Sequence, residues 1–228
     1  MTTPAARPIL FSAPMVRALL EGRKTQTRRL VKGLPVRQLE HDKRWFSNVL
    51  PPSGSLPNEW SWWDGPPHGH SIYHSCKCPY GVPGDLLWVR ETWADDQFFG
   101  EKLYRATHAG DDRIGGGWRS SIHMPRLRSR LTLALTDIRI ERLQKINKED
   151  AIAEGCGPVI PDDLKDHPLA KHVGPDPRTH YAALWVRLNG ETGPASWGAN
   201  PWVWVLSFDV HRANVDSFLE HHHTEAAQ

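Results

Sequence analysis

The densest chemistry in this chain of 228 residues lies in Arg23–Arg29, where RKTQTRR carries four cations, two threonine hydroxyls and one amide. A threonine hydroxyl alone is a weak nucleophile. A nearby lysine can activate it once burial or adjacent cations lower the ammonium pKa. Arg23, Arg28 and Arg29 stand close enough to Lys24 in sequence to supply that pressure. The same residues suit binding without chemistry, or a solvated basic strand end. In a regular strand, positions 24 and 27 point to opposite faces, so Lys24 and Thr27 converge only where Gly22 to Thr25 makes a turn.

Three further groups invite a chemical reading. Glu91, between Arg90 and Thr92 at the end of LLWVRETW, is a carboxylate able to meet Lys24 or an arginine; a charged surface position is the competing reading. The run His123 to Arg130 (HMPRLRSR), preceded by Trp118 and Arg119, has the mix of arginine and aromatic side chains that contacts phosphates and stacks bases. In a strand, Arg126, Arg128 and Arg130 share one face, which is either a binding face or a solvated one. His68, His70, His74, Cys76 and Cys78 resemble a zinc set. However, C-x-C is tighter than the usual spacing and no second cysteine pair follows, so no metal and no cofactor are assigned.

The elements that must position these groups are short. Ser12 suits a helix N-cap, Pro14 the first turn, Val16, Leu19 and Leu20 an apolar stripe, and Gly22 the exit. Pro8 to Phe11 reads as a first strand, Leu86 to Trp93 as another and Lys102 to Thr107 as a third, while DDRIGGGW reads as a turn. Leu131 to Leu143 alternates cleanly, with a parity shift that predicts a bulge near Thr136 or Asp137. Asn147 can cap a helix ending at Gly155. Tyr181, Leu184, Trp185 and Leu188 have helical spacing, and WVWVLSFDV is the last strand. The Trp202 and Trp204 pair is expected in the wall or core.

A net charge of +2 excludes a protein that binds polyanions over its whole surface, so any nucleic-acid role is local. Three cysteines, an odd number, do not form a disulfide framework and fit a reduced, cytoplasmic compartment. The apolar run near the N-terminus is too short for a signal peptide, and no stretch approaches the roughly 20 apolar residues of a membrane span. Length and pattern together predict an α+β, mainly β chain. It is expected as one domain over 7–212, with a Trp/Pro/Gly-rich insertion at about 33–82, a loop at about 157–177 and a tail at 213–228.

The pieces PILFSAPMVRALLEGRKTQTRR, CPYGVPGDLLWVRETW, WRSSIHMPRLRSRLTLALTDIRIERLQKINKEDAIAEG and SWGANPWVWVLSFDV occur in an order that resembles the ASCH domain of the PUA-like superfamily, in its phage and prophage branch. The resemblance implies a small β-barrel with short helices at its mouth and an RNA-associated cleft. Gly22, Lys24 and Arg28 or Arg29 would line that cleft. More distantly, the chain is similar to small ASCH amidohydrolases that deacetylate N4-acetylcytidine. Carried over, Lys24 is the base, Thr27 the nucleophile and Glu154 the acid or orienting group. Arg23, Thr25, Arg28, Arg29, Glu91, Arg126 and Arg128 would contact a nucleoside or single-stranded RNA. A non-catalytic RNA-binding module and a phage regulatory factor that contacts proteins are the alternatives.

Overall fold

The computed structural model describes residues 4–32, 59–64, 72–108, 110, 114–157 and 176–225. Positions 33–58 and 65–71 of the expected insertion, and 158–175 of the expected loop, lie outside these. In chain order the elements are β1 (Ala6–Leu10), α1 (Ala13–Leu20), β2 (Gln26–Leu30), β3 (Glu59–Asp64), β4 (Ile72–Lys77), β5 (Leu86–Arg90), β6 (Trp93–Asp96), β7 (Lys102–Tyr104), β8 (Ile114–Arg119), β9 (Thr132–Arg142), α2 (Lys148–Ala153), α3 (Pro177–Asn189), β10 (Trp202–His211) and α4 (Val215–Glu225). The architecture is α+β with mainly strand content in mixed sheets. No helix among the described residues is long and apolar enough to cross a membrane.

A five-stranded sheet has the order β1-β5-β9-β10-β2, beside a β3-β4 pair and a β7-β6-β8 sheet. Among the described residues the large sheet ends at β1 and β2 without closing into a ring. It is mixed, because β1 runs parallel to β5, Ala6 opposite Leu86, while β5 and β9 are antiparallel. The chain divides into two compact units. The first holds Met1–Gln26, Pro83–Thr136 and Ser207–Gln228, and the second Thr27–Val82 and Asp137–Leu206.

In the first unit, α1 buries Val16, Ala18 and Leu19, and Pro14 sits in its first turn. The Ser12 hydroxyl makes no capping bond. Gly22, at φ 72°, lets the chain fold back: the N–H groups of Arg23 and Lys24 both donate to Ala18 O, at 2.9 and 3.1 Å. The turn expected at Gly22 is therefore present. At the other end of the unit, α4 buries Val215 against Leu86 and Trp88. Burial of that apolar face explains why the tail is helical.

Three sequence expectations need correction here. LLWVRETW is two strands, β5 and β6, in different sheets. DDRIGGGW holds strand β8, in which Trp93 faces Arg119 and Asp95 faces Gly115, so β8 carries extra residues between the two pairs. Gly116 and Gly117, at φ 79° and 83°, absorb that bulge, which explains a glycine run inside a strand. Residues 126–128 form a 3-10 turn after Pro125, so Arg126, Arg128 and Arg130 do not share a strand face.

The β9 expectation agrees with what is observed. Leu133 and Leu135 are buried, Thr136 and Asp137 are both exposed, and Ile138 is buried again, so the burial phase slips at the predicted place. In the second unit, β9 leads through Leu143 and Ile146 into α2, and these pack with Tyr181, Trp185, Val203 and Val205. Helix α3 is capped by the Asp176 carboxylate and buries several faces, including His180 and Ala183, while Leu188 of the expected stripe is exposed. The β3-β4 pair brings Trp60 edge-on to Trp204 at 5.7 Å, placing part of the expected insertion in a core.

Candidate functional site

The second unit holds a buried polar cluster built on three elements. Strand β2 supplies Thr27 and Arg28, both enclosed; β9 supplies Glu141; α2 supplies Asp150. Helix α2 is short, and the Asn147 side chain fixes its start by accepting from Asp150 N at 2.7 Å. Glu154 is its C-terminal cap, and Gly155 at φ 90° turns the chain away immediately after it.

Arg28 is the hub. Its guanidinium meets Glu141 at 2.5 Å, Asp150 at 2.8 Å and Glu154 at 3.6 Å, and lies 5.8 Å from the centre of the Tyr181 ring. Burial opposes its charge most strongly, but Glu154, Tyr181 and Glu141 together hold its pKa above the ordinary arginine value. The Tyr181 hydroxyl is pushed well above its usual pKa by burial and by the Glu154 carboxylate, with Arg28 pulling the other way. Arg139 adds a second cation, reaching Asp150 at 3.0 Å. Arg29, half-buried on β2, lowers the Tyr80 hydroxyl pKa against the larger upward push of burial.

The first unit holds the remaining candidates. Lys24 is fully enclosed, its ammonium 5.6 Å from the centre of the Phe11 ring. Arg23 is exposed and pairs with Glu21 at 2.7 Å, and the Thr25 carbonyl accepts from Phe208 N at 3.0 Å. Glu91 is buried rather than a surface charge, and takes two bonds from Arg130, at 2.8 and 3.0 Å. Burial raises its pKa and Arg130 partly restores it. The three proposed catalytic residues are thus divided: Lys24 belongs to the first unit, Thr27 and Glu154 to the second.

The expected basic face is largely neutralised. Arg126 pairs with Asp216 at 2.6 Å, while Arg128 and Arg119 both pair with Asp95, the latter at 3.0 Å. Those last two guanidiniums lie 4.8 and 4.6 Å from the centre of the buried Trp93 ring. No protein-family model, curated protein or solved structure matches the chain.

Of the possible metal set, His68 and His70 lie outside the described residues and the His74 side chain is not described; Cys76 and Cys78 are half-buried thiols. Among the described residues no group of three His, Cys, Asp or Glu side chains is placed to hold a metal. Sequence reasoning missed Glu141, Asp150 and Tyr181. Arg139 and Glu141 share one parity of β9, but so does the exposed Asp137, so alternation alone does not single them out.

Proposed function

We propose that this is an ASCH-type protein that binds a nucleobase or nucleoside and hydrolyses the exocyclic amide of N4-acetylcytidine, with a PUA-like barrel as the underlying architecture. The supporting observation is that all three residues assigned to the chemistry are withdrawn from water: Lys24, Thr27 and Glu154 are 0%, 1% and 4% exposed. Burying such groups costs free energy unless they are paired, and ionisable groups kept in that state concentrate at functional sites. The order of sequence motifs supports the same reading.

In this scheme the Thr27 oxygen attacks the acetyl carbon and its proton passes to a base, the role that the sequence motif assigns to Lys24. The C–N bond breaks, the leaving N4 amine receives that proton back from the base while the Glu154 carboxylate orients the groups, and an acetyl ester remains on Thr27. Water then hydrolyses that ester to acetate, returning the hydroxyl. Arg28 acts as a positioning residue, because it holds the Glu154 carboxylate at 3.6 Å.

The test is incubation of the purified protein with N4-acetylcytidine, following cytidine and acetate. Turnover by the wild type that is lost in Thr27→Ala and Glu154→Gln is the expected result. Absence of turnover, or full turnover by Thr27→Ala, overturns the hydrolase assignment; cytidine binding without turnover leaves a binding protein.

A further inference from the structure

The end of β4, in the second unit, carries a pair of thiols that the hydrolytic scheme does not use. Ser75 and Lys77 are exposed, whereas Cys76 and Cys78 are half-buried. That alternation is the period-two signature of extended backbone, so both cysteines project from one face. Trp60 belongs to the same face, because it stands directly opposite Cys76 in the antiparallel β3-β4 register. Trp60 is itself buried, with its ring edge-on to Trp204. The thiols therefore border an apolar wall while keeping partial access to solvent. Cys78 directly follows the strand, and its carbonyl accepts from Gly81 N at 3.3 Å to open the turn towards β5.

Strand spacing decides what such a pair does best. At a rise of 3.3–3.4 Å per residue, side chains two apart on one face start roughly 6.6–6.8 Å from each other. A disulfide asks for Cβ atoms only about 3.5–4.5 Å apart, so closing one here requires the backbone to buckle. A bridging ion asks for less. With metal–thiolate bonds of about 2.3 Å, the two sulfurs need approach only to about 4.6 Å, which rotation about χ1 supplies without moving the chain. Charge fits as well. The Tyr80 hydroxyl is pushed above its usual pKa chiefly by burial, with Arg29 pulling it down and Cys78 pushing it up. The guanidinium thus acts on the same neighbourhood as the Cys78 sulfur, where it offsets negative charge.

We propose that Cys76 and Cys78 bind one thiophilic monovalent cation, of the Cu(I) class, as a two-coordinate dithiolate. Soft thiolates favour Cu(I), and two of them complete a two-coordinate shell, whereas Zn²⁺ takes four ligands. The C-x-C spacing, tight for a zinc site, is what a two-ligand site needs. A monovalent ion on two thiolates carries one net negative charge, which Arg29 compensates. Binding releases the thiol protons to solvent. The third cysteine, Cys156, packs in the core with Leu143 and Tyr181 and takes no part. The site is independent of Lys24, Thr27 and Glu154, so it survives or fails separately from the hydrolase assignment.

The experiment is anaerobic titration of the full, reduced chain with Cu(I) supplied as its coloured bicinchoninate complex. One ion per chain is expected to leave the chelator. Cys76→Ser and Cys78→Ser should each weaken binding about a hundredfold or more, the usual gain from joining two ligands on one scaffold. Excess Zn²⁺ should not displace the ion. A readout that needs no variant is alkylation of the wild type by iodoacetamide, followed by peptide mass spectrometry. Cu(I) should protect Cys76 and Cys78 together and leave the reactivity of Cys156 unchanged. No transfer of Cu(I), protection of one thiol without the other, undiminished affinity in either variant, or displacement by Zn²⁺ overturns the inference.

Discussion

Arg28 and Glu154 face each other at 3.6 Å with 0% and 3% of their side chains exposed, and Arg28 simultaneously holds Glu141 and Asp150. Arg28 thus touches all three carboxylates inside the second unit, with Arg139 as a second cation on Glu141 and Asp150. Removing one partner of a buried ion pair typically costs about 3–5 kcal/mol, because the other charge is left uncompensated. Arg28→Met is expected to lose about that much stability in urea unfolding. A loss below about 1 kcal/mol, the range of exposed pairs, would contradict the hub role.

Glu91 makes a prediction about pH. Burial lifts its native pKa above the usual 4.5, with Arg130 opposing the shift. A carboxyl raised in the native state keeps its proton more tightly when folded than when unfolded. Its contribution is therefore fully present below the ordinary pKa and is lost as pH rises through the native one. Unfolding free energy should fall through the mildly acidic range just above 4.5, and Glu91→Gln should lack that component. Parallel pH profiles for the two proteins would contradict it.

Asp95 tests the arginine surface. It neutralises both Arg119 and Arg128, so Asp95→Asn releases two guanidiniums without removing either. If single-stranded RNA binds through this surface, the variant binds it more tightly at low salt, and the slope of log affinity on log salt steepens by about one. Identical affinities for wild type, Asp95→Asn and Arg128→Ala exclude the surface from RNA binding.

Asn147 governs the helix that presents Asp150 and Glu154. Asn147→Ala removes the acceptor for Asp150 N and should cost about 1 kcal/mol in thermal unfolding, as for other N-caps. No measurable cost would mean that packing, rather than the cap, fixes α2.

What could be read from sequence was local. The Gly22 exit, the Asn147 cap and the slip of phase at Thr136 and Asp137 are all dictated within a few residues, and each is present. Glycines misled at β8, because a run that looks like a turn can also absorb a bulge once β6 supplies a partner. The arginines at 126, 128 and 130 misled for a different reason: their acidic partners, Asp216, Asp95 and Glu91, are remote in sequence, and no periodicity encodes such pairings. Arg28 and Thr27 stood out by type alone. That Arg28 would gather Glu141 and Asp150 was not legible, since it depends on how β2, β9 and α2 pack.

The way the units are assembled from chain segments bears on how the protein emerges from the ribosome. All of Thr27–Val82 and Asp137–Leu206 has been synthesised before Ser207, so the second unit has its whole chain available first. The first unit must wait for Val215, whose burial against Leu86 and Trp88 closes its apolar cluster. Until then Leu86 and Trp88 lack that cover, which makes the nascent chain vulnerable to aggregation at this point.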